Sequence, residues 1–599
     1  MPRPRSFQEL VHWLDMGEGA RWLRLGAVLL GVLVLSLKIS HGQFRGITSE
    51  AAFLHADTGR QLTRGEGFTT LVNFPQTAAF LAARGERFDP AQAYPELHHA
   101  PLYSIVIGGA LKLLPERWRD ALFAVPPQPP DGFRADYFLL GLNLALLWLA
   151  AWLTFDLAKR LFDARTAWLA LLALLLSAGV WRQTLLVDGS PLLMVLALGT
   201  FWIWTRIERQ QADEFSASRR YAWFVALGAS CGLLFLAEYS AGALVLVALA
   251  YAAFAFRGAG RWKSLALIAA GFALVAGPWI ARNLALTGAP TALAIQNVAL
   301  KAGDPTAEPA TQRNSLTADL PAINLRKLAN KALTNWQANL ETRIWSGGAM
   351  WLVAFFVAGW LYAFRSPIAN RMRWVFTVSL AVLLASQAVF NSGESPRLAA
   401  GWLAPLIIVF GAGFFFVLVG SSARLSAWPR VCAAALLALQ ALPLARDLLE
   451  PRRLHFQYPP YFPGLFIGMR QELERRPGAD RFGIMADVPA GVAWYAGERV
   501  WSQPVKLRDF YAITLEQPLA ELLLTPHTLD RPFFSELAIR PAGGDSLRQA
   551  SNVFGEWGRI YAGLFTGAFP PEFPLGAPQK LAENLYVLLN PALPPPGEK

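Results

Sequence analysis

Residues 23–68 read LRLGAVLLGVLVLSLKISHGQFRGITSEAAFLHADTGRQLTRGEGF. The segment 23–40 is an apolar run of membrane-crossing length, with Arg24 and Lys38 only near its ends. It gives way to Glu50, His55 and Asp57. In a soluble chain these residues would belong to a solvated connector. In a chain that stays in the membrane, they stand at the depth where a lipid headgroup would meet them. The rest of the sequence separates the two readings.

Of the 599 residues, 54% are hydrophobic and only 16% are charged. Soluble domains carry about a quarter charged residues. With 22 Trp and 39 Phe, the deficit points to a polytopic membrane protein. The formal charge is +12, but the Lys and Arg sit in short loops between apolar runs. That pattern sets membrane orientation and leaves nucleic acid out as a partner. Cys231 and Cys432 both fall inside apolar runs and share no zinc-ligand spacing with the seven histidines. The first run lacks a small-x-small cleavage site after it, so it reads as a retained signal anchor.

Apolar runs lie near 22–40, 136–157, 166–182, 190–205, 221–237, 240–256, 264–281, 347–364, 374–390, 399–420 and 430–446. They predict about eleven spans of roughly 20 residues, several of them short. The basic clusters at Arg3, Arg5, Arg21 and Arg24, at Lys159, Arg160 and Arg165, and at Arg206, Arg209, Arg219 and Arg220 then fall on one side. So do Arg257, Arg261 and Lys263, Arg365, Arg371 and Arg373, and Arg424 and Arg430. That side is the cytoplasm. APLYSIVIGGALKLL (100–114) is too short to span, and a crossing there would reverse every later loop. It therefore predicts an interfacial helix.

The expected fold class is an all-α polytopic membrane protein with a small C-terminal extracytoplasmic α/β domain. Residues 1–447 form the transmembrane domain, including a first outer loop (41–135) with interfacial helices. Residues 448–599 form the outer domain, with the N-terminus inside. RFGIMADV (481–488) and NLYVLLNP (584–591) read as short buried strands, and VPPQPPDG (125–132) as an irregular loop.

Sorting by side gathers polar chemistry on the outer face: Glu50 and Asp57 after the first span, His98 and His99, Asp188, Arg282 and Arg397. Each also has a plainer role. Glu50 could be solvated, Asp188 in VDGSP could cap a helix, the histidines could be structural, and boundary arginines often anchor at the interface.

Six phrases in order resemble the GT-C membrane glycosyltransferases, in particular the group of protein O-mannosyltransferases and the lipid A aminoarabinose transferase. They are SEAAFLHADTGRQLTRGEGF (49–68), HHAPLYSIVIGGALKLL (98–114), AKRLFDART (158–166), the Asp188 loop, PWIARN (278–283) and PRLAAGWLAPL (396–406). In FLAEYSAG (235–242), Glu238 stands where many of the group carry Lys or Arg. The resemblance implies transfer of a sugar from a polyprenyl-phosphate carrier to an acceptor hydroxyl, with inversion. It makes Glu50 the general base and lets Asp57 or Asp188 orient the acceptor or share a divalent cation, the one cofactor it leaves open. Arg282 and Arg397 would hold the phosphate, His98 or His99 the phosphate or sugar, and Glu238 and Tyr239 would line the carrier site. The implied partners are the lipid-linked sugar, an acceptor glycan, lipid or protein, and the bilayer of a bacterial-type inner membrane. A lipid-linked sugar flippase would instead show mid-span charges and inverted repeats. A non-catalytic scaffold would tolerate loss of Glu50, Asp57 and Asp188.

Overall fold

The computed structural model describes residues 18–86, 89, 92–124, 132–212, 217–300, 313–390, 397–449, 463–476, 478, 481–529 and 557–594. Arg3, Arg5, most of VPPQPPDG and residues 391–396 lie outside them.

Among the described residues, seven helices are long and apolar enough to cross a membrane. They are Gly26–Gln43, Arg134–Leu161, Ser190–Gln210, Gly258–Thr287, Pro367–Phe390, Ala404–Ser421 and Pro429–Leu449. Two bent helix pairs raise the number to nine. Of the eleven expected runs, 221–237 and 240–256 form the shorter helices Tyr221–Ala237 and Tyr239–Ala255. Each is about 26 Å long, just under the hydrocarbon thickness. The chain is an integral multi-pass membrane protein.

The bent pairs depart from the sequence expectation. Run 166–182 breaks into Ala164–Leu175 and Ala178–Leu185, 53° apart. Run 347–364 is only one arm of Leu325–Ser346 plus Trp351–Leu361, bent by 116°. The two breaks dock on each other, which satisfies the carbonyl groups that each break frees. Ser177 Oγ donates to Gly348 O at 2.7 Å, and Gln440 Nε2 donates to the same oxygen at 2.9 Å. A Cβ on Gly179 would meet Gly348 N at 2.8 Å, and Gly348 itself has φ +127. Apolar surroundings offer no water to replace these bonds, so the close backbone approach needs glycine on both sides.

The segment 100–114 forms the 11-residue helix Leu102–Lys112, too short to cross at about 16 Å. It packs on the helix Glu50–Arg64 through Gly59 and Gly108; a Cβ on Gly108 would meet Gly59 O at 2.9 Å.

Eight strands are described: β1 Thr69–Thr70, β2 Val72–Asn73, β3 Tyr94–Pro95, β4 Gly483–Ala486, β5 Val500–Ser502, β6 Leu519–Leu524, β7 Pro578–Ala582 and β8 Leu585–Leu589. Six make one sheet in the order β2-β5-β4-β6-β8-β7. Strands β2, β5, β4 and β6 run parallel, while β8 and β7 are antiparallel. Helix Pro489–Tyr495 crosses from β4 to β5, and Leu507–Glu516 from β5 to β6. Every residue of β4 and β6 is buried, and both strands are apolar as a parallel sheet favours, except for Glu521 in β6.

The sheet is not built from the C-terminal region alone. Its β2 edge comes from the first loop, with Val72 opposite Val500. A second joint lies at the start of helix Arg134–Leu161. There Asp136 accepts from Trp494 Nε1 at 2.8 Å and from the Tyr495 hydroxyl at 2.7 Å. The C-terminal sheet and the loops above the helices thus form one packed body.

Candidate functional site

Helix Glu50–Arg64 is the centre of the site. Gly65, with φ +88, ends it, and the turn returns the chain as β1 and β2. The helix carries Glu50, His55 and Asp57, and the structure gives them three different surroundings.

Asp57 is fully buried. Its Oδ2 accepts from Thr70 Oγ1 and from Leu71 N, both at 2.8 Å, and Gln61 Nε2 reaches Oδ1 at 3.4 Å. Burial raises its pKa, and the three hydrogen bonds and Arg60 only partly oppose that. With both oxygens engaged inside the protein, Asp57 is a latch that fixes the returning strand. These contacts are structural, where the sequence pointed to an acceptor or a cation.

Glu50, at the helix N-terminus, is the partly open carboxylate, with a side chain 29% exposed. Its Oε2 accepts from Arg313 Nη2 at 3.1 Å. Arg313 is buried and lies 5.0 Å over the Phe74 ring. The C-terminal region sets its position. Asn314 is held by Ser502 Oγ at 2.7 Å and by Val505 N at 2.9 Å, and Leu316 N donates to Asp509 Oδ2 at 3.1 Å.

His55 is buried between Ser104 Oγ, 2.9 Å from Nδ1, and Arg397 Nη2, 2.8 Å from Nε2. A guanidinium has only donors, so Nε2 accepts and Nδ1 carries the proton to Ser104. Burial and then the charges of Arg397 and His99 hold the ring well below its usual pKa, which keeps it neutral. Arg397 also donates to Ala237 O at 3.2 Å and lies 3.7 Å from Glu238 Oε2.

The His98-His99 pair is organised by Glu96. Its Oε1 accepts from His98 N at 2.7 Å and from His99 N and Nδ1, both at 3.0 Å. Burial would raise this carboxyl, but His99 and then His98 hold it down to about 2. The other oxygen, Oε2, is buried without a partner among the described residues. His98 Nε2 lies 3.2 Å from Thr77 Oγ1, and burial brings its pKa down to about 3 against the pull of Glu96. The His99 ring packs edge-on to His55, centroids 5.4 Å apart.

Tyr239 closes one wall. Its hydroxyl donates to His99 O at 3.2 Å and accepts from Trp279 Nε1 at 3.0 Å. Arg282 lies 4.4 Å over the Trp279 ring and 5.5 Å over Phe68. Asp188 is fully buried beside Tyr103 and within the field of Arg397. Its Oδ1 accepts from Ser190 N at 2.9 Å, a local turn at the start of helix Ser190–Ala212, while Oδ2 has no partner among the described residues. Burial raises its pKa, partly offset by Arg397.

Contacts thus join Tyr239 to His99 and Arg397 to Glu238, Asp188 lies in the field of Arg397, Glu50 meets Arg313, and Asp57 serves the strand. Sequence reasoning missed Glu96, Arg313 and the partners of His55. Glu96 carried a readable signal, an acid two residues ahead of His-His in a polar loop. Arg313 carried none, because it lies in a long connector and reaches Glu50 only through the C-terminal sheet. Among the described residues, no group of three or more His, Cys, Asp or Glu could hold a metal ion. The expected sharing of a divalent cation by Asp57 or Asp188 has no such ligand set, and no step below runs through one.

No family model matches the chain, and no curated protein matches it. Solved structures do. The Archaeoglobus fulgidus oligosaccharyltransferase in complex with Zn and sulfate aligns with a TM-score of 0.54 at 13% identity, over 87% of this chain and 70% of that one. Its apo form gives 0.51 at 12% identity, over 86% and 70%. ArnT from Cupriavidus metallidurans bound to undecaprenyl phosphate aligns over 95% of this chain and 98% of that one, at 13% identity and a TM-score of 0.49. The likeness is one of fold: the chain has the architecture of the GT-C membrane glycosyltransferases.

Proposed function

We propose that the protein is a membrane glycosyltransferase that moves a sugar from a polyprenyl-phosphate carrier to an acceptor hydroxyl, with inversion at the anomeric carbon. The reaction takes place on the face that carries the first loop and the C-terminal sheet. We assign that face to the outside because the basic clusters occupy the opposite loops.

One observation carries the reading: two buried guanidinium groups meet the same loop helix, Arg313 at Glu50 and Arg397 at His55. The helix therefore joins a partly open carboxylate to a fixed cation. Glu50 takes the proton of the acceptor hydroxyl as its oxygen attacks the anomeric carbon. The bond from that carbon to the phosphate oxygen breaks, and its electron pair stays on the phosphate. Arg397, held by His55 and Ala237 O, stabilises that charge, and Arg282, over the Trp279 ring, supplies a second cation. His99 and Tyr239 frame the head group, and Glu238 keeps Arg397 oriented in the absence of the carrier. Arg313 fixes the orientation of the Glu50 carboxylate.

The test is incubation of the purified protein with a panel of polyprenyl-phosphate sugars, reading carrier release. Glu50→Gln keeps the shape but accepts no proton, so turnover should fall by about 10²–10⁴-fold while carrier binding persists. Full activity in that variant would remove Glu50 as the base. Carrier translocation without sugar transfer would favour a flippase.

A further inference from the structure

A second site opens at the far end of the same helix. A cleft of about 1030 Å³ lies between the first loop and the C-terminal sheet. One wall has Gln61, Arg64 and Asn73, and the other has Arg470, Glu498 and Gln517. The volume is at the top of the usual range for ligand pockets, roughly 300–1,000 Å³, so the cleft suits something larger than one small molecule.

We propose that this cleft binds the neutral oligosaccharide portion of a glycan acceptor. This proposal rests on the glycosyltransferase reading and deepens it by naming the acceptor class. Four arginines in the lining face three glutamates. Two of the four arginines are already matched: Arg470 pairs with Glu474 at 2.8 Å and Glu498 at 3.3 Å, and Arg476 pairs with Glu472 at 2.8 Å. A polyanion would have to break these pairs. Sugar hydroxyls need not, because a paired guanidinium keeps spare donors and a paired carboxylate keeps spare lone pairs. Each hydroxyl both donates and accepts, which fits a wall where the two kinds of group alternate.

Asn73 adds an independent sign. It is buried at the edge of β2, and its Oδ1 has no partner among the described residues. Buried amides are normally satisfied, so a ligand donor is the missing partner. Arg64 ends the helix that Glu50 begins, about 21 Å away. The Asp57 latch, which holds Thr70 and Leu71, keeps that wall in register.

The experiment measures binding of neutral hexasaccharides to the full-length protein in detergent. The panel covers α- and β-linked glucose, mannose, galactose and N-acetylglucosamine, each beside a phosphorylated counterpart. At least one neutral member should bind. Arg64→Ala, at an exposed position, and Asn73→Ala should each weaken it about tenfold, the loss of one hydrogen bond in a cleft. Undecaprenyl phosphate should bind both variants as it binds the parent. No neutral binding, unchanged affinity in the Arg64 variant, or stronger binding of the phosphorylated members would each overturn the proposal. These readouts involve no sugar transfer. A protein that binds oligosaccharide but transfers nothing would sink the catalytic reading while the cleft stands, and the reverse pattern would sink the cleft alone.

Discussion

Asp57 separates structure from chemistry most sharply. The sequence places it two residues beyond His55 and makes it a candidate for acceptor orientation. The structure makes it a latch, with Oδ2 taking two donors at 2.8 Å. Asp57→Ala leaves the Leu71 amide and the Thr70 hydroxyl without that acceptor. Hydrogen bonds to a charged group contribute about 1.5–3 kcal/mol each, so the gross loss is on the order of 3–6 kcal/mol. Removing a buried carboxyl also relieves its desolvation, the cause that raises its pKa. The net loss should be about 2–4 kcal/mol. Asp57→Asn keeps one oxygen for both donors and turns an amide group toward Gln61, itself a donor there, so its loss should be about 1–2 kcal/mol. Thermal unfolding of the detergent-solubilised protein would measure both. Hydrogen exchange at Leu71 would localise the effect, with faster exchange in the alanine variant. Transfer activity, scaled to folded protein, should stay within a few-fold of the parent in Asp57→Asn. An Asp57→Asn protein with parental stability, a protected Leu71 amide and no activity would refute the latch and return Asp57 to the chemistry.

Arg397→Ala should weaken undecaprenyl-phosphate binding by about 10–100-fold, the equivalent of one charge-assisted contact, and unchanged affinity in a direct titration would take Arg397 out of the phosphate site. The C-terminal sheet should show its own pH dependence through Glu521, which is pushed up to about 8 by burial and then by Glu472, against the opposing charge of Arg476. A raised carboxyl pKa favours the neutral acid in the fold. Its stabilisation is therefore complete below about pH 4.5 and is lost as pH rises through 8, at about 1.4 kcal/mol per unit in between. Unfolding temperature should fall from pH 5 to 8, and Glu521→Gln should flatten that slope; an unchanged slope would show that Glu521 is ionised without cost.

The sequence by itself determined the class. Apolar runs of membrane length, basic clusters recurring in alternate loops, and acids just past the first span are all local properties. A bilayer imposes them along the chain, because any unpaired backbone group or charge within it is costly. The ordered phrases from 49–68 to 396–406 extended that reading to the GT-C architecture, which the superposed structures share. The strands at 483–486 and 585–589 were legible for the same reason, as short apolar runs between turns.

Only the tertiary structure decided which acid does what. Glu50 and Asp57 lie seven residues apart on one helix and look alike in sequence. Two turns apart, they share one face of the helix, yet the first turn meets Arg313 and the later turn meets the returning Thr70 and Leu71. Nor could local sequence show that Val72–Asn73 would pair with Val500–Trp501, or that this sheet would deliver Arg313 to Glu50. Strand pairing and ion pairing between segments hundreds of residues apart depend on loop closure and shape. A chain records such contacts only in its packed form.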